Sequence, residues 1–235
     1  MNILFKLLLK QQPLSSTNGF TLIELIIASV MSVFVLSVAG FGLLFALREQ
    51  AVTSASGDLQ YNLNRAVDFI AEEVKQASAV TTTATLPSGC VGTGTNTVVL
   101  GLTIPPDTTT NVIYYTKTPP NSTWLGPSSI YRCGPSFSAA GVADYSSSST
   151  KSAEILIDLI ASDSNTNTCQ NGGTANPTTN SGFFVCITNT KLVEIQANAN
   201  AMASLDTIAG TNASSRYGNK LTYSAITQVY ARSAP

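Results

Sequence analysis

Between Leu25 and Leu47 the chain runs for 23 residues without a formal charge, mostly Leu, Ile, Val, Phe and Ala. The hydrocarbon core of a bilayer is ~30 Å thick and takes about 20 helical residues to cross, so this run is long enough to span it. Its flanks are Lys6 and Lys10 on one side and Arg48 and Glu49 on the other. Two lysines in a short N-terminal segment favour keeping that end in the cytoplasm, with the remainder exported. Cys90, Cys133, Cys169 and Cys186 all follow the run. An even number of cysteines in the exported part suits an oxidising compartment.

Composition narrows the chemistry further. The 235 residues allow one domain plus an appendage, or two small domains. Only 11% are charged, against about 25% in an ordinary soluble domain, and Ser, Thr and Asn fill the gap. The net charge of −1 leaves no basic footprint for nucleic acid. There is no histidine, which removes His-ligated zinc, Ser-His-Asp and Cys-His nucleophile systems, and imidazole switching. The apolar 44% still supports a core, so disorder is not the expectation.

Three readings of the apolar run compete. A secretory signal peptide would use Ser37-Val38-Ala39 as a small-x-small cleavage site. Against it, nine residues separate Lys10 from Phe20, Glu24 stands near the start of the apolar segment, and cutting after Ala39 leaves Phe41, Leu43, Leu44, Phe45 and Leu47 on the new terminus. A plain signal anchor explains the run but not the residues at its entrance. Those residues are Gly19-Phe20-Thr21-Leu22-Ile23-Glu24, followed by Leu25-Ile26. With the cationic stretch before them and the long helix after, they carry the third reading. Here the chain resembles type IV pilins and the pseudopilins of type II secretion, whose precursors have a short basic leader ending in Gly, then a hydrophobic residue and a Glu at the fifth mature position.

The resemblance implies cleavage between Gly19 and Phe20 by a prepilin peptidase. Glycine has no side chain, so the enzyme's catalytic groups can come close to that peptide bond. Removing the leader, Met1 to Gly19, takes away Lys6 and Lys10 and changes the formal net charge from −1 to −3. The same enzyme is then expected to N-methylate Phe20. An ionisable group such as Glu24 in a spanning helix is costly and asks for a partner. Phe20 and Glu24 lie one helical turn apart, and the family mechanism sets Glu24 against the Phe20 amine of a neighbouring subunit. The alternative is a carboxylate that snorkels to the interface with no assembly role.

Beyond Leu47 the helix is expected to continue. Val52, Ala55, Leu59, Leu63, Ala66, Ile70, Val74 and Ala77 form one apolar stripe at helical period, with Asp58, Arg65, Asp68, Glu72, Glu73 and Lys75 between them. From Phe20 to about Ala79 the rod would measure ~90 Å. After Val80, β-branched and aromatic runs separated by Pro, Gly, Asn and Ser predict strands over 97–104, 111–117, 129–133, 153–159, 182–187, 191–196 and 221–232. The expected fold is α+β, a long N-terminal helix packed on a C-terminal antiparallel sheet with long polar loops at 134–152 and 161–181. The expected organisation is a leader at 1–19, a membrane and assembly helix at 20–48, its amphipathic continuation at 49–80 and an exported β-rich domain at 81–235.

The simplest of three disulfide connectivities is Cys90–Cys133 with Cys169–Cys186. No CxxC or metal-ligand spacing is present, and no cofactor is expected. Asp163-Ser-Asn165-Thr-Asn167 spaces oxygen atoms like the opening of a calcium loop, but Thr168 and Thr174 stand where Gly and Glu are needed, so an Asn-rich turn is the better reading. Glu154 with Asp158, or Asp158 with Asp163, reads as solvated charge and not as a general acid and base. Trp124 and Tyr114-Tyr115 could serve adhesion, but packing in a core is the expectation.

Two further segments are similar to PilW-type minor pilins and J-type pseudopilins: Asp58-Leu-Gln-Tyr-Asn-Leu-Asn-Arg65-Ala-Val-Asp68-Phe-Ile-Ala-Glu72-Glu73-Val, and the closing Thr227-Gln-Val-Tyr-Ala-Arg232. A fainter likeness is to the pseudopilins of cyanobacterial polysaccharide secretion. Together these imply a structural subunit, not an enzyme, that primes or tips a filament. Its implied partners are the prepilin peptidase, other pilins or pseudopilins, an inner-membrane assembly platform and membrane lipid. The implied location is the inner membrane, crossed once, with the C-terminal domain periplasmic or extracellular. The competing class is a membrane-anchored exported binding or adhesion protein.

Overall fold

The computed structural model describes residues 19–119, 124–162, 166–179, 181–188, 191–202 and 220–232, without the side chains of Arg48, Ala51, Met202 and Lys220. The leader ahead of Gly19, with Lys6 and Lys10, lies outside the described residues, as do Asp163 and Asn165. Internal contacts divide the chain into two compact units, one ending at Leu47 and the other beginning at Arg48.

Helix α1, Leu22–Gln76, supplies the regular structure among the described residues of the first unit and the opening of the second. No proline interrupts it. In the first unit its side chains are exposed throughout, Phe34, Phe41 and Phe45 among them. It is the one helix among the described residues long and apolar enough to cross a membrane. Three serines sit in this apolar stretch without stranding a hydroxyl. Ser29 donates to the Ile26 carbonyl, Ser32 to Ala28 and Ser37 to Val33, at 2.7–2.8 Å. Such back-bonding removes the cost of an unpaired polar group in hydrocarbon.

In the second unit the stripe on α1 is buried from Leu59 onward, through Leu63, Ala66, Ile70, Val74 and Ala77. The expected stripe differs at two places. Ala55 is exposed and Val52 half-exposed, whereas Glu73, expected among the solvent-facing charges, is buried. Its position explains this, because 66, 70, 73 and 77 step along one helical face. Glu72 and Lys75 do face solvent and pair at 2.6 Å, a contact worth a few tenths of a kcal/mol.

The helix ends as Ser78 turns into the sheet, its N–H donating to the Thr103 carbonyl at 2.8 Å. Nine antiparallel strands follow among the described residues: β1 (Ala79–Thr81), β2 (Asn96–Thr103), β3 (Val112–Lys117), β4 (Ser128–Pro135), β5 (Lys151–Ile160), β6 (Thr174–Asn176), β7 (Phe183–Ile187), β8 (Leu192–Met202) and β9 (Lys220–Tyr230). A single helical turn, α2 (Ser88–Val91), precedes β2. The sheet order is β1-β2-β3-β4-β5-β8-β7-β6, with β9 on β8. The architecture is α+β, a long helix packed on an antiparallel sheet. Each of the seven strand segments read from the sequence carries a strand. The two strands and the turn not foreseen are three or four residues long, too short to show a period.

The sheet curls because residues far apart in its order are tied together. Asn176 on β6 donates its side-chain amide to the Val98 and Val99 carbonyls of β2 at 3.2 and 2.7 Å. β5 meets β8 only at Ile160↔Ala199, where Gly182 makes the junction possible. Its N–H donates to the Ala161 carbonyl and its carbonyl accepts from Asn198. A Cβ there would stand 2.5 Å from the Ala161 oxygen, so no larger residue fits.

Both faces of the sheet are covered, which is why all six residues of β3 are buried. Tyr114 faces the main core beneath α1, with Leu100, Ile130 and Ile195. Ile113 and Tyr115 face a smaller cluster with Tyr131 and the Cys90–Cys133 pair. The expected loops are shorter than read. Pro135, Lys151 and Ser152 belong to strands, and β6 lies within 161–181.

Candidate functional site

The residues singled out at the helix entrance stand together at the start of α1. Gly19 has open space where a side chain would be, and Phe20 is exposed. Thr21 is the residue before the first helical turn. Its N–H and its hydroxyl both donate to Glu24 Oε2, at 2.9 and 2.8 Å, and its Oγ1 accepts from the Glu24 N–H at 3.3 Å. This is a reciprocal capping box, which satisfies two of the four backbone donors left over at a helix start. A carboxylate in the first turn also suits the positive end of the helix dipole. Glu24 thus has a partner within its own chain, one that a reading centred on Phe20 overlooks. Its signal in the sequence is the spacing Thr21-x-x-Glu24.

The second unit holds a buried polar cluster of its own. Arg132 on β4 sets Nη2 2.7 Å from Glu73 Oε1, with its side chain fully buried and that of Glu73 nearly so. Arg132 Nε donates to both carboxylate oxygens at 3.1 Å, and Nη1 donates to the Pro135 carbonyl at 2.9 Å. Tyr145, from the segment after β4, donates its hydroxyl to Glu73 Oε1 at 2.8 Å, and Tyr114 donates to Oε2. The Phe137 ring covers the guanidinium with its centroid 4.7 Å away, and Phe69 of α1 meets that ring edge-on. Gly134 leaves room for this arrangement, since a Cβ there would stand 3.1 Å from the guanidinium.

The electrostatics follow from these contacts. Burial works against the charge on Arg132, but the hydrogen bonds and charge of Glu73 outweigh it and raise its pKa. Burial first, and the Glu73 charge second, push the Tyr114 and Tyr145 hydroxyls up, so both remain protonated donors. Tyr115, on the opposite face of β3, is pushed up to about 12 by burial and by the neighbouring Tyr131. A buried pair with its lone pairs occupied in this way locks one arrangement of helix on sheet.

A second buried carboxylate, Glu194 on β8, is surrounded by neutral donors. It accepts from the Gln170 N–H at 3.1 Å, Asn171 Nδ2 at 2.7 Å, Gln228 Nε2 at 3.2 Å and the Gln196 amide. Burial alone would raise its pKa; the hydrogen bonds from Asn171, Gln170, Gln196 and Gln228 prevail and hold it below the usual range. The donors Gln170 and Asn171 follow Cys169, which is bonded to Cys186, and Cys186 lies opposite Glu194 in the sheet. Asn167, weighed as a calcium ligand, donates instead to the Pro177 carbonyl and, through its N–H, to Thr178. The segment read as a long polar loop is therefore fastened at several points.

The disulfides are Cys90–Cys133 and Cys169–Cys186, with no free cysteine. Among the described residues no group of three or more His, Cys, Asp or Glu is placed to hold a metal. A groove of about 440 Å³ between β1 and β6–β7 is lined by neutral residues, including Thr81, Thr174, Thr178 and Asn176. Trp124, expected in a core, is exposed. Asp158, weighed as half of an acid–base pair, accepts the Leu125 N–H at 2.7 Å and so holds the chain beside that tryptophan. No family model, curated protein or solved structure matches this chain.

Proposed function

We propose that this chain is a minor pilin or pseudopilin, a structural subunit that primes or tips a filament after a prepilin peptidase cuts Gly19–Phe20. The observation that carries the reading is the string Gly19-Phe20-Thr21-Leu22-Ile23-Glu24 set directly at the start of a 55-residue helix. Three further features support it: the apolar first part of that helix, the absence of packing around Gly19, and an exported-type domain with two disulfides. In this reading the leader keeps the N-terminus cytoplasmic until cleavage. The new Phe20 amine is then methylated, and helix α1 enters the shared bundle with Glu24 facing a neighbour's amine. The C-terminal domain stays outside the inner membrane and acts by contact, not by catalysis.

Mass spectrometry of the mature N-terminus, in cells that carry a prepilin peptidase, tests this. The expected chain begins at N-methylated Phe20, and Gly19→Val leaves the leader attached because the peptidase cannot approach the backbone. A mature chain that retains Met1 would mean a plain membrane anchor and an exported binding protein. A chain that starts at Gly40 would mean a secreted domain. Either result overturns the proposal.

A further inference from the structure

Among the described residues one asparagine, Asn171, is followed by glycine, and it stands in the turn between Cys169 and β6. Gly172 and Gly173 take φ values of 80° and 95°, a region that glycine enters at no steric cost. Asn171 and Gly172 are both exposed, and space is open where a Gly172 side chain would be. The Gly172 carbonyl accepts the Thr188 hydroxyl at 3.3 Å, while its N–H meets no acceptor among the described residues. Other asparagines are placed differently. Asn111 is buried, Asn198 and Asn200 lie within the paired strand β8, and Asn176 precedes a proline, which has no N–H. Asn171 also has a role in the fold, because its Nδ2 donates to Glu194 Oε2 at 2.7 Å.

We propose that Asn171 is a site of spontaneous deamidation and that its conversion releases the clasp at Glu194. The Gly172 nitrogen, having given its proton to solvent, attacks Asn171 Cγ. The Cγ–Nδ2 bond breaks, and the nitrogen departs as ammonia after taking a proton from solvent, which leaves a succinimide ring. Water then opens that ring at either carbonyl and gives aspartate or isoaspartate at position 171. Glycine suits the step because a Cβ on the next residue would crowd the attacking nitrogen. Either product sets a carboxylate where an amide donor stood, beside a carboxylate that the fold has buried. Like charges brought together disfavour the ionised form, and a buried acid that loses a donor bears more of its desolvation cost. Isoaspartate also adds a methylene to the backbone, next to the Gln170 N–H that donates to Glu194 Oε1. The groups that touch Glu194, namely Gln170, Asn171, Gln196 and Gln228, do not titrate. The new charge therefore dominates the local change, and the change runs one way, so it marks the age of the molecule. The inference does not depend on the filament reading.

The test follows the full detergent-solubilised chain through prolonged incubation at pH 9, which favours loss of the Gly172 amide proton. Peptide mapping by mass spectrometry should find residue 171 about 1 Da heavier, as a mixture of aspartate and isoaspartate. At pH 7 the aged chain, and freshly made Asn171→Asp, should both unfold at a lower denaturant midpoint than the fresh wild type. That gap should close toward pH 3, because stability lost to repulsion between carboxylates returns as they take up protons. Asn171→Gln keeps a neutral amide donor but closes the corresponding larger ring far more slowly, so incubation should leave its midpoint where it began. Three results would overturn the proposal: an intact Asn171 after incubation, conversion with no fall in the midpoint at pH 7, or an equal fall in incubated Asn171→Gln.

Discussion

Arg132 and Glu73, 59 positions apart in sequence, form an ion pair sealed from solvent that joins strand β4 to helix α1. Two tyrosine hydroxyls, a backbone carbonyl and an aromatic face complete its surroundings. Pairing in a dry interior does not by itself guarantee net stability, because both charges leave water. Its consequence is asymmetric: loss of either partner strands the other.

Arg132→Met or Glu73→Leu alone should therefore destabilise the unit from Arg48 onward by about 3–5 kcal/mol, and the double substitution by clearly less. Tyr114→Phe removes one donor to the carboxylate and should cost about 1–3 kcal/mol. Denaturant unfolding of the detergent-solubilised chain measures all four. Single variants that unfold at the wild-type midpoint would show the pair to be dispensable.

Glu194 makes stability depend on pH. Its pKa is lower in the folded chain than in the unfolded one, so its contribution is complete above about pH 4.3, the ordinary carboxylate value. It is lost as pH falls through the folded value, since the unfolded state takes up the proton first. Glu194→Gln should remove that part of the acid dependence and loosen the segment at Gln170 and Asn171. Unfolding midpoints from pH 7 to pH 3 supply the check, and identical slopes for variant and wild type would contradict it.

The disulfides should act only on the unit from Arg48 onward. Loop-closure entropy assigns about 4 kcal/mol to Cys90–Cys133 and about 3 kcal/mol to Cys169–Cys186, which span 43 and 17 positions. Alkylation of the purified chain without reductant should label no thiol. Reduction should lower the unfolding midpoint of the domain and leave the helicity of the apolar stretch unchanged. Two alkylated cysteines before reduction would sink the assignment.

Glu24 can be dissected because its cap and its charge are separable. Glu24→Gln retains an acceptor for the Thr21 N–H and removes the charge, whereas Glu24→Val removes both. In the proposed pilin reading, cleavage at Gly19–Phe20 should continue in each. If the carboxylate pairs with a neighbour's amine, both variants should lose cross-linking to partner subunits and filament number. Wild-type assembly of Glu24→Gln beside a defective Glu24→Val would make Glu24 a helix cap and remove the intersubunit ion pair from the mechanism.

What the sequence alone determined is local. The length of the uncharged run, the helical stripe from Leu59 to Ala77 and the seven longer strands each express a period or a charge pattern within a few turns of chain. Only the tertiary structure decided which polar residues go inside. Glu73 reads as one more charge on a solvated helix until Arg132, Tyr114 and Tyr145 converge on it from three other segments. Glu194 reads as a strand charge until four neutral donors close around it. The ring closure at Asn176 and the junction at Gly182 are equally invisible locally, since each depends on carbonyls contributed by strands distant in sequence. The choice among three disulfide connectivities was settled in the same way, by the packing of α2 that sets Cys90 against Cys133 of β4 and of the segment before β6 that sets Cys169 against Cys186 of β7. Burying a charge or closing a sheet is favourable only when its partner is present, and that partner is positioned by the rest of the fold.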